Sequence, residues 1–337
     1  MKVTLIGIDL AKTIFQLCGV NDQGRPVFNK QVRRSQLMKV LVQYPQATIA
    51  MEACSGSNYW GRELIAQGYD VKLIPPQHVK PFVKGNKNDR NDACAITEAA
   101  RRPHLRCVPP RSVAQTEMMQ IHRARERVVG QRVALSNQIR GFLNEYGVVV
   151  VRGKRALQAA LPRLLESTDD GLTASTRQLL RSLWEEWQRI DEQIAYYDQQ
   201  IDHQAKHHED ARRLMTIRGV AEKTATAMVA FAGRGTQYRN GRHFSANVGL
   251  VPKEHSSGGK QRLGGISKRG NGYLRRLLVQ GAWSVLRHAG KGRDRLSRWA
   301  IKVADRRGKH KAVLAIANKL ARIMWSVLVH QTDYRTV

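Results

Sequence analysis

VTLIGIDLAKTIFQLCGVNDQGRPVFNKQV, residues 3–32, holds three strand-like runs between short polar breaks. Val3–Asp9 is apolar and ends in an acid. Ile14–Val20 is a second apolar run, Asn21-Asp22-Gln23-Gly24 has turn chemistry, and Pro26–Val32 returns as a third strand. Beyond it the pattern changes to strand–helix alternation. Gln36–Tyr44 has helical spacing in Leu37, Val40, Leu41 and Tyr44. Ala47–Glu52 is strand-like and again ends in an acid. Asn58–Gln67 reads as a helix closed by Gly68, and Tyr69–Ile74 as a strand stopped by Pro75-Pro76. A further helix is expected over Asp92–Arg101, with Asp92 near its N-terminus, where a carboxylate is favoured. Three hairpin-like strands followed by β/α alternation describe a mixed sheet with helices on its faces.

The acids in this region fall at informative places. Asp9 ends the first strand in G-I-D-L-A-K, and Glu52 ends a later one in A-M-E-A-C-S-G. Asp89 and Asp92 stand in K-N-D-R-N-D-A, three apart at a helix start, where they can point to one side. Four converging carboxylates would offer oxygen ligands to Mg²⁺, and two such ions could polarise one phosphate. Taken singly, each acid has a structural reading, Asp89 as a helix cap and Asp92 as a first-turn acid. Taken jointly, acids at the first strand, the fourth strand and a following helix have the ribonuclease H-like layout.

Composition narrows the partners. The 337 residues allow more than one domain, and the net charge is +30. Residues 211–337 carry 27 Lys+Arg against 5 Asp+Glu, a net of +22, which leaves +8 for residues 1–210. The C-terminal segment is therefore expected to be the main polyanion-binding face. No membrane association is expected, because no apolar run approaches a span in length and the N-terminus lacks a signal-peptide pattern. The cysteines Cys18, Cys54, Cys94 and Cys107 form no C-x-x-C pair, so neither a zinc site nor a disulfide framework is expected.

The middle of the chain reads as helix. Ile121, Val128, Leu135, Ile139, Phe142 and Tyr146 recur at steps of seven, four and three. Leu180, Leu183, Trp187, Ile190, Ile194, Tyr197 and Ile201 alternate threes and fours, a coiled-coil-like seam. Glu185, Glu186, Asp191 and Glu192 lie on its polar face. The region is either a dimerising arm or two helices packed within one monomer. After it, M-T-I-R-G-V-A-E-K-T-A-T-A, residues 215–227, resembles a helix-hairpin-helix element in which Gly219 and the next helix N-terminus offer N–H groups to a phosphate. The tail from Lys291 to Lys319 reads as basic and helical, with Trp299 and Trp325 as core residues.

Between these helices lies S-A-N-V-G-L-V-P-K-E-H-S-S-G-G-K-Q-R-L-G-G-I-S-K-R-G-N-G-Y-L-R-R, residues 245–276. It has seven glycines, four serines and one acid, Glu254, in a run of Lys and Arg. Glycines let the backbone approach a ligand closely and leave N–H groups free to face anions. One reading is a basic loop touching DNA backbone. The other is a serine nucleophile, Ser257 or its neighbour Ser256, presented to a phosphodiester. Lys253, Lys260, Arg262, Lys268 and Arg269 are candidate phosphate clamps. His255 is a candidate base, or else a phosphate or structural contact.

The motifs G-I-D-L-A-K, M-E-A-C-S-G, K-N-D-R-N-D-A, G-L-V-P-K-E-H-S-S-G-G-K and G-I-S-K-R-G-N-G-Y-L-R-R together resemble transposases of the insertion-sequence 110 family, in its 1111 branch, with Piv-type DNA invertases as relatives. The match spans nearly the whole chain. The resemblance implies a RuvC-like domain over 1–110 whose Asp-Glu-Asp-Asp quartet is Asp9, Glu52, Asp89 and Asp92, binding Mg²⁺. It implies a helical coiled-coil arm over 111–210 and a mainly helical transposase domain over 211–337 with Ser257 as nucleophile. It also implies double-stranded DNA as substrate, a structured non-coding guide RNA, a homo-oligomer (dimer or tetramer) and a cytoplasmic, nucleoid-associated location. Two other classes stay open at this point: a RuvC-like junction resolvase without covalent serine chemistry, and a non-catalytic nucleic-acid-binding protein.

Overall fold

The computed structural model describes residues 2–85, 88–167, 171–292 and 294–335. Lys87 of the K-N-D-R-N-D-A motif and the side chain of Lys291 lie outside the described residues. The chain divides into two compact units, Met1–Val113 and Ala114–Val337.

The first unit runs β1 (Leu5–Asp9), β2 (Ile14–Val20), β3 (Pro26–Arg33), α1 (Leu37–Leu41), β4 (Thr48–Glu52), α2 (Ser57–Ala66), β5 (Val71–Ile74), α3 (Pro76–Val79) and α4 (Asp89–Ala100). The sheet order is β3-β2-β1-β4-β5. The β1–β2 and β2–β3 pairs are antiparallel, and the β1–β4 and β4–β5 pairs are parallel. Ile6, Ile8, Phe15, Leu17, Ile49 and Met51 face one way and pack with Leu37, Leu41, Trp60 and Leu64. Leu5, Cys18, Ala50 and Ile74 face the other way and pack with Ala93, Ile96 and Ala99 of α4. Side chains alternate along a strand, so covering both faces requires the unbroken apolar runs seen in β1 and β4. Helix α4 starts at Asp89, three residues before the expected start. The side chain of Asn88 accepts the Asn91 N–H at 2.8 Å and is the N-cap, which removes the capping role considered for Asp89.

The second unit begins with α5 (Val113–Asn144, whose first residue closes the first unit), α6 (Lys154–Glu166) and α7 (Ala174–His207). Helices α5 and α7 are antiparallel partners within one chain. Arg125 pairs with Asp198, Arg132 with Asp191 at 2.6 Å, and the Trp187 indole donates to Ser136 Oγ at 2.9 Å. Each step up α5 is matched by the same step down α7. Asp191, expected on an open polar face, is held by both Arg132 and Lys154. Helix α6 lies in the middle region read as helix, and Pro162 does not end it. The proline sits inside the helix, and Leu157 and Leu161 pack on Leu135, Ile139, Leu180 and Trp187. That burial outweighs the hydrogen bond a proline cannot donate.

The rest is α8 (Glu209–Met215), α9 (Glu222–Ala232), α10 (Gly241–Asn247), a hairpin of β6 (Pro252–Glu254) and β7 (Leu263–Ile266), then α11 (Gly272–His288), α12 (Arg295–Arg307) and α13 (Lys309–His330). These helices share one core that includes Phe244, Leu274, Leu278, Ile316, Leu320 and Met324. Trp299 and Trp325 pack against it, as their core reading anticipates. Contrary to the expectation that no apolar run approaches a span, α13 is long and apolar enough by composition to cross a bilayer. Its apolar face is instead buried in the helical core, and its Lys319 and Arg322 border a cleft.

Candidate catalytic site

Strand pairing sets the first two acids side by side. Ile8 is paired with Met51 in parallel register, so Asp9 and Glu52 occupy the next rung at the strands' C-terminal ends. Alternation puts both on the face covered by α4. Gly7, two residues before Asp9, lies so close beneath that helix that a β-carbon would stand 2.6 Å from the Ala93 carbonyl oxygen and 2.7 Å from Thr97 Cγ2. Thr4 and Leu5 share a small cleft with Ala100 and Arg101. Helix α4 thus runs antiparallel to β1, and its first turn, carrying Asp89 and Asp92, comes to the end where β1 and β4 finish. Asp89 is exposed, whereas Asp9, Glu52 and Asp92 are half-buried.

The field of the strand-end pair is felt at one thiol. Burial pushes the Cys54 pKa up, and the Glu52 and then the Asp9 carboxylate push it further. Carboxylate oxygens at the edge of a sheet and in the first turn of a helix are the hard donors a divalent ion such as Mg²⁺ takes. The donor set therefore fits such an ion in chemical type. Among the described residues, no three His, Cys, Asp or Glu side chains are close enough together to hold one. The framework brings the acids to one end of the sheet without closing them into a ligand cluster.

Ser257 lies in the second unit, at the tip of the β6–β7 hairpin. Glu254 pairs with Leu263, His255 N–H donates to the Arg262 carbonyl at 3.0 Å, and Ser257 bridges to Lys260. The connecting residues Gly258 and Gly259 have φ of 54° and 74°. Positive φ at both central positions is the condition for a type I′ turn, whose twist matches that of a hairpin. Ser257 is the first residue of that turn and is exposed. The two serine hydroxyls differ. Ser256 Oγ donates to Glu254 Oε1 at 2.6 Å and accepts the Arg262 N–H at 3.1 Å. The Ser257 hydroxyl has no hydrogen bond among the described residues.

The hairpin root is tightly made. A β-carbon on Gly270 would lie 1.8 Å from the Asn247 carbonyl oxygen. Arg275 Nη1 donates to the Val248 and Arg269 carbonyls at 2.8 and 2.9 Å. Tyr273, in the first turn of α11, meets the buried His122 through a 2.9 Å hydrogen bond at Nδ1, and Thr226 meets Nε2 at 2.9 Å. Burial, then the cations Arg125 and Lys223, lower the His122 pKa to about 4. Lys253, Lys260, Arg262, Lys268 and Arg269 are all exposed along or just after the hairpin, as is His255. Gly219 lies between α8 and α9 with φ of 83° and packs so closely on α11 that a β-carbon would be 2.8 Å from the Gly281 carbonyl oxygen. Packing alone thus accounts for glycine there.

Residues 252–266 read from sequence as a glycine-rich loop, whereas the structure forms the strands β6 and β7 there. The signal was present: Gly-Gly between two short extended runs is a hairpin pattern. Asn88 is likewise a cap with a sequence signal, since an Asn directly before a helical run is a capping signature.

Comparison with known proteins gives a consistent result. A DEDD transposase profile of the IS110 type matches residues 6–148, and a profile described as transposase IS116/IS110/IS902 family matches residues 211–297. The chain is 42% identical over 333 residues to the transposase for insertion sequence element IS1111A of Coxiella burnetii, covering 99% of this chain and 92% of that protein. It is 43% identical over 336 residues to a probable family 20 transposase of Pseudomonas aeruginosa, covering 99% of each. At 23% identity over 347 residues it also resembles the pilin gene-inverting protein of Moraxella bovis, covering 97% of this chain and 96% of that protein.

Proposed function

Because the chain belongs to the IS116/IS110/IS902 family of insertion-sequence transposases, enzymes of DNA strand transfer, we propose that it cuts and rejoins DNA through Ser257, assisted by Asp9, Glu52, Asp89 and Asp92. The observation that carries the serine assignment is the contrast at the hairpin tip. Ser256 is tied into the hairpin by two hydrogen bonds, whereas Ser257 presents its hydroxyl at the exposed turn.

In this reading Ser257 Oγ loses its proton and forms a bond to a DNA phosphorus. The bond from that phosphorus to the neighbouring sugar oxygen breaks, and that oxygen leaves as a hydroxyl once protonated. A hydroxyl on another DNA end then attacks the same phosphorus and releases the serine, so the bond energy is kept for rejoining. Lys260 and Arg262 flank the tip and offset charge on the attacked phosphate. His255 serves as a contact to phosphate or as the base. The four carboxylates would hold Mg²⁺, which supplies Lewis-acid stabilisation of charge at phosphorus and on the departing oxygen.

The finer architecture belongs to the same proposal: a RuvC-like domain over 1–110, a coiled-coil arm over 111–210, and a transposase domain over 211–337 whose Gly219 turn contacts DNA as a helix-hairpin-helix does. A homo-oligomer, a structured guide RNA and residence with the DNA in the cytoplasm complete it. The mixed sheet with acids at the C-terminal ends of its inner strands supports the first, and the net +22 of residues 211–337 supports a large nucleic-acid surface.

The test is a nicked suicide DNA substrate with Mg²⁺ and guide RNA. Wild-type protein is expected to give a protein–DNA adduct that survives denaturation, mapped to Ser257. Ser257→Ala is expected to lose the adduct and keep binding, while Ser256→Ala is milder. Cleavage leaving free ends, with no adduct, would replace this reading by a resolvase-like hydrolase.

A further inference from the structure

A cleft of about 650 Å³ opens in the first unit between the β1–β2 turn, the end of β3 and the first turn of α2. Its walls carry three cations, Lys12, Arg33 and Arg34, and two aromatic rings, Tyr59 and Trp60. None of the three cations makes an ion pair among the described residues. The Arg34 guanidinium lies over the Trp60 ring at 5.2 Å and over the Tyr59 ring at 5.8 Å. Tyr59 is 44% exposed, so one face of its ring is open to the cleft's solvent side. Trp60 is only 7% exposed and forms the floor of the cleft, and its buried indole N–H has no hydrogen-bond partner among the described residues.

The place matters as much as the composition. The β1–β2 turn follows Asp9 directly, and α2 follows Glu52 after four residues. The cleft therefore opens at the end of the sheet that carries the acids, on the α2 side. Unpaired cations suit phosphates, and an exposed ring suits the face of a base that is not covered by a neighbour in a duplex.

We propose that this cleft receives an unpaired nucleotide of a strand passing the acid end of the sheet, with its phosphates on Lys12 and Arg33 and its base against Tyr59. The inference rests on the family's action on nucleic acid and is independent of the serine chemistry. Duplex DNA does not fit the same role, because its base faces are stacked. The chemistry is shared by single-stranded DNA and RNA.

The test uses full-length Ser257→Ala protein, so that labelling cannot depend on a serine adduct and its failure leaves the Ser257 reading untouched. Short single-stranded DNA and RNA oligonucleotides carrying 5-iodouracil are photocrosslinked to it, and the adducts are mapped by peptide mass spectrometry. Labelling of Tyr59 or Trp60 by either oligonucleotide is expected, and the one that labels names the strand. The double substitution Lys12→Glu and Arg33→Glu is expected to lower that adduct on the order of tenfold and to reduce its salt dependence by about two phosphate contacts, while adducts in residues 211–337 persist. Tyr59→Ala should shift or remove it. Labelling confined to residues 211–337, a Tyr59 adduct indifferent to the charge reversal, or equal labelling by an iodouracil duplex would overturn the proposal. Displacement by an acidic peptide but not by unlabelled oligonucleotide would overturn it too, and would assign the cleft to a protein partner.

Discussion

The acid end of the first unit and the serine hairpin of the second are built on opposite principles. Asp9 and Glu52 are held by paired strands, and α4 brings the turn carrying Asp89 and Asp92 to the same end of the sheet by contact with Gly7 that leaves no room for a β-carbon. The backbone carrying those carboxylates is set by a core packed on both faces of the sheet. Ser257 stands on an exposed two-strand hairpin whose tip touches no core, although its root at Gly270, Tyr273 and Arg275 is tightly tied. A group that must stabilise charge gains from a fixed frame. As the proposed nucleophile, Ser257 gains from standing clear of the protein surface, where a large polymeric substrate can reach it.

The largest expected effect tests the fixed side. Asp9→Asn or Asp92→Asn is expected to lower strand cleavage by about 10²–10³-fold or more, the range for losing one electrostatic stabiliser. Nucleic-acid binding should persist, since these acids repel phosphate. Cleavage rates under single-turnover conditions decide this, and near-normal rates would remove the acids from the reaction.

The next effect tests the hairpin root. The folded state holds His122 neutral, with a pKa lowered from 6.5 to about 4. The unfolded chain binds the extra proton more readily between those values. The contribution of His122 is therefore fully present above pH ~6.5 and is lost as pH falls towards 4, by about 3 kcal/mol in all. Urea unfolding followed from pH 7 to pH 4 should show the loss. His122→Gln should flatten that slope, and an unchanged slope in the variant would place the acid sensitivity elsewhere.

Glycine substitutions sharpen the contrast directly. Gly7→Ala drives a methyl into the Ala93 carbonyl and Thr97, and about 1–3 kcal/mol of destabilisation is expected from such overpacking. Gly258→Ala meets nothing within 4 Å and pays only for its positive φ, roughly 1 kcal/mol. Chemical denaturation should therefore separate the two, while the adduct assay should respond to both. Equal destabilisation would show that the tip is as much a part of the frame as the sheet.

The smallest effect concerns one cation at the tip. Lys260→Ala should weaken DNA binding modestly and lower the slope of log affinity against log salt by about 0.9, the value for one phosphate contact. A salt titration with an unchanged slope would exclude a phosphate contact there.

Local sequence determined much of this. Alternation and turn residues in 3–32 specified the three-strand meander, and the acids ending Val3–Asp9 and Ala47–Glu52 were readable as strand-end groups, because strand periodicity and turn chemistry act over a few residues. The seams of α5 and α7 were legible for the same reason. The bounds of helix α6 were not, because a proline is a local break signal and only the packing of Leu157 and Leu161 against Leu135 and Trp187 carries the helix through Pro162. The tertiary structure alone decided which way α4 runs across the sheet, and so that its first turn meets the ends of β1 and β4. It alone decided that Ser256 is bound while Ser257 is presented, since Arg262 closes that pattern from six residues away across the hairpin. Lys12, Arg33, Arg34, Tyr59 and Trp60 come from three separate segments and carry no shared motif. Only the pairing of β2 with β3 and the docking of α2 on Phe15 gather them into one cleft, because juxtaposition across a sheet is set by long-range packing rather than by neighbours in the chain.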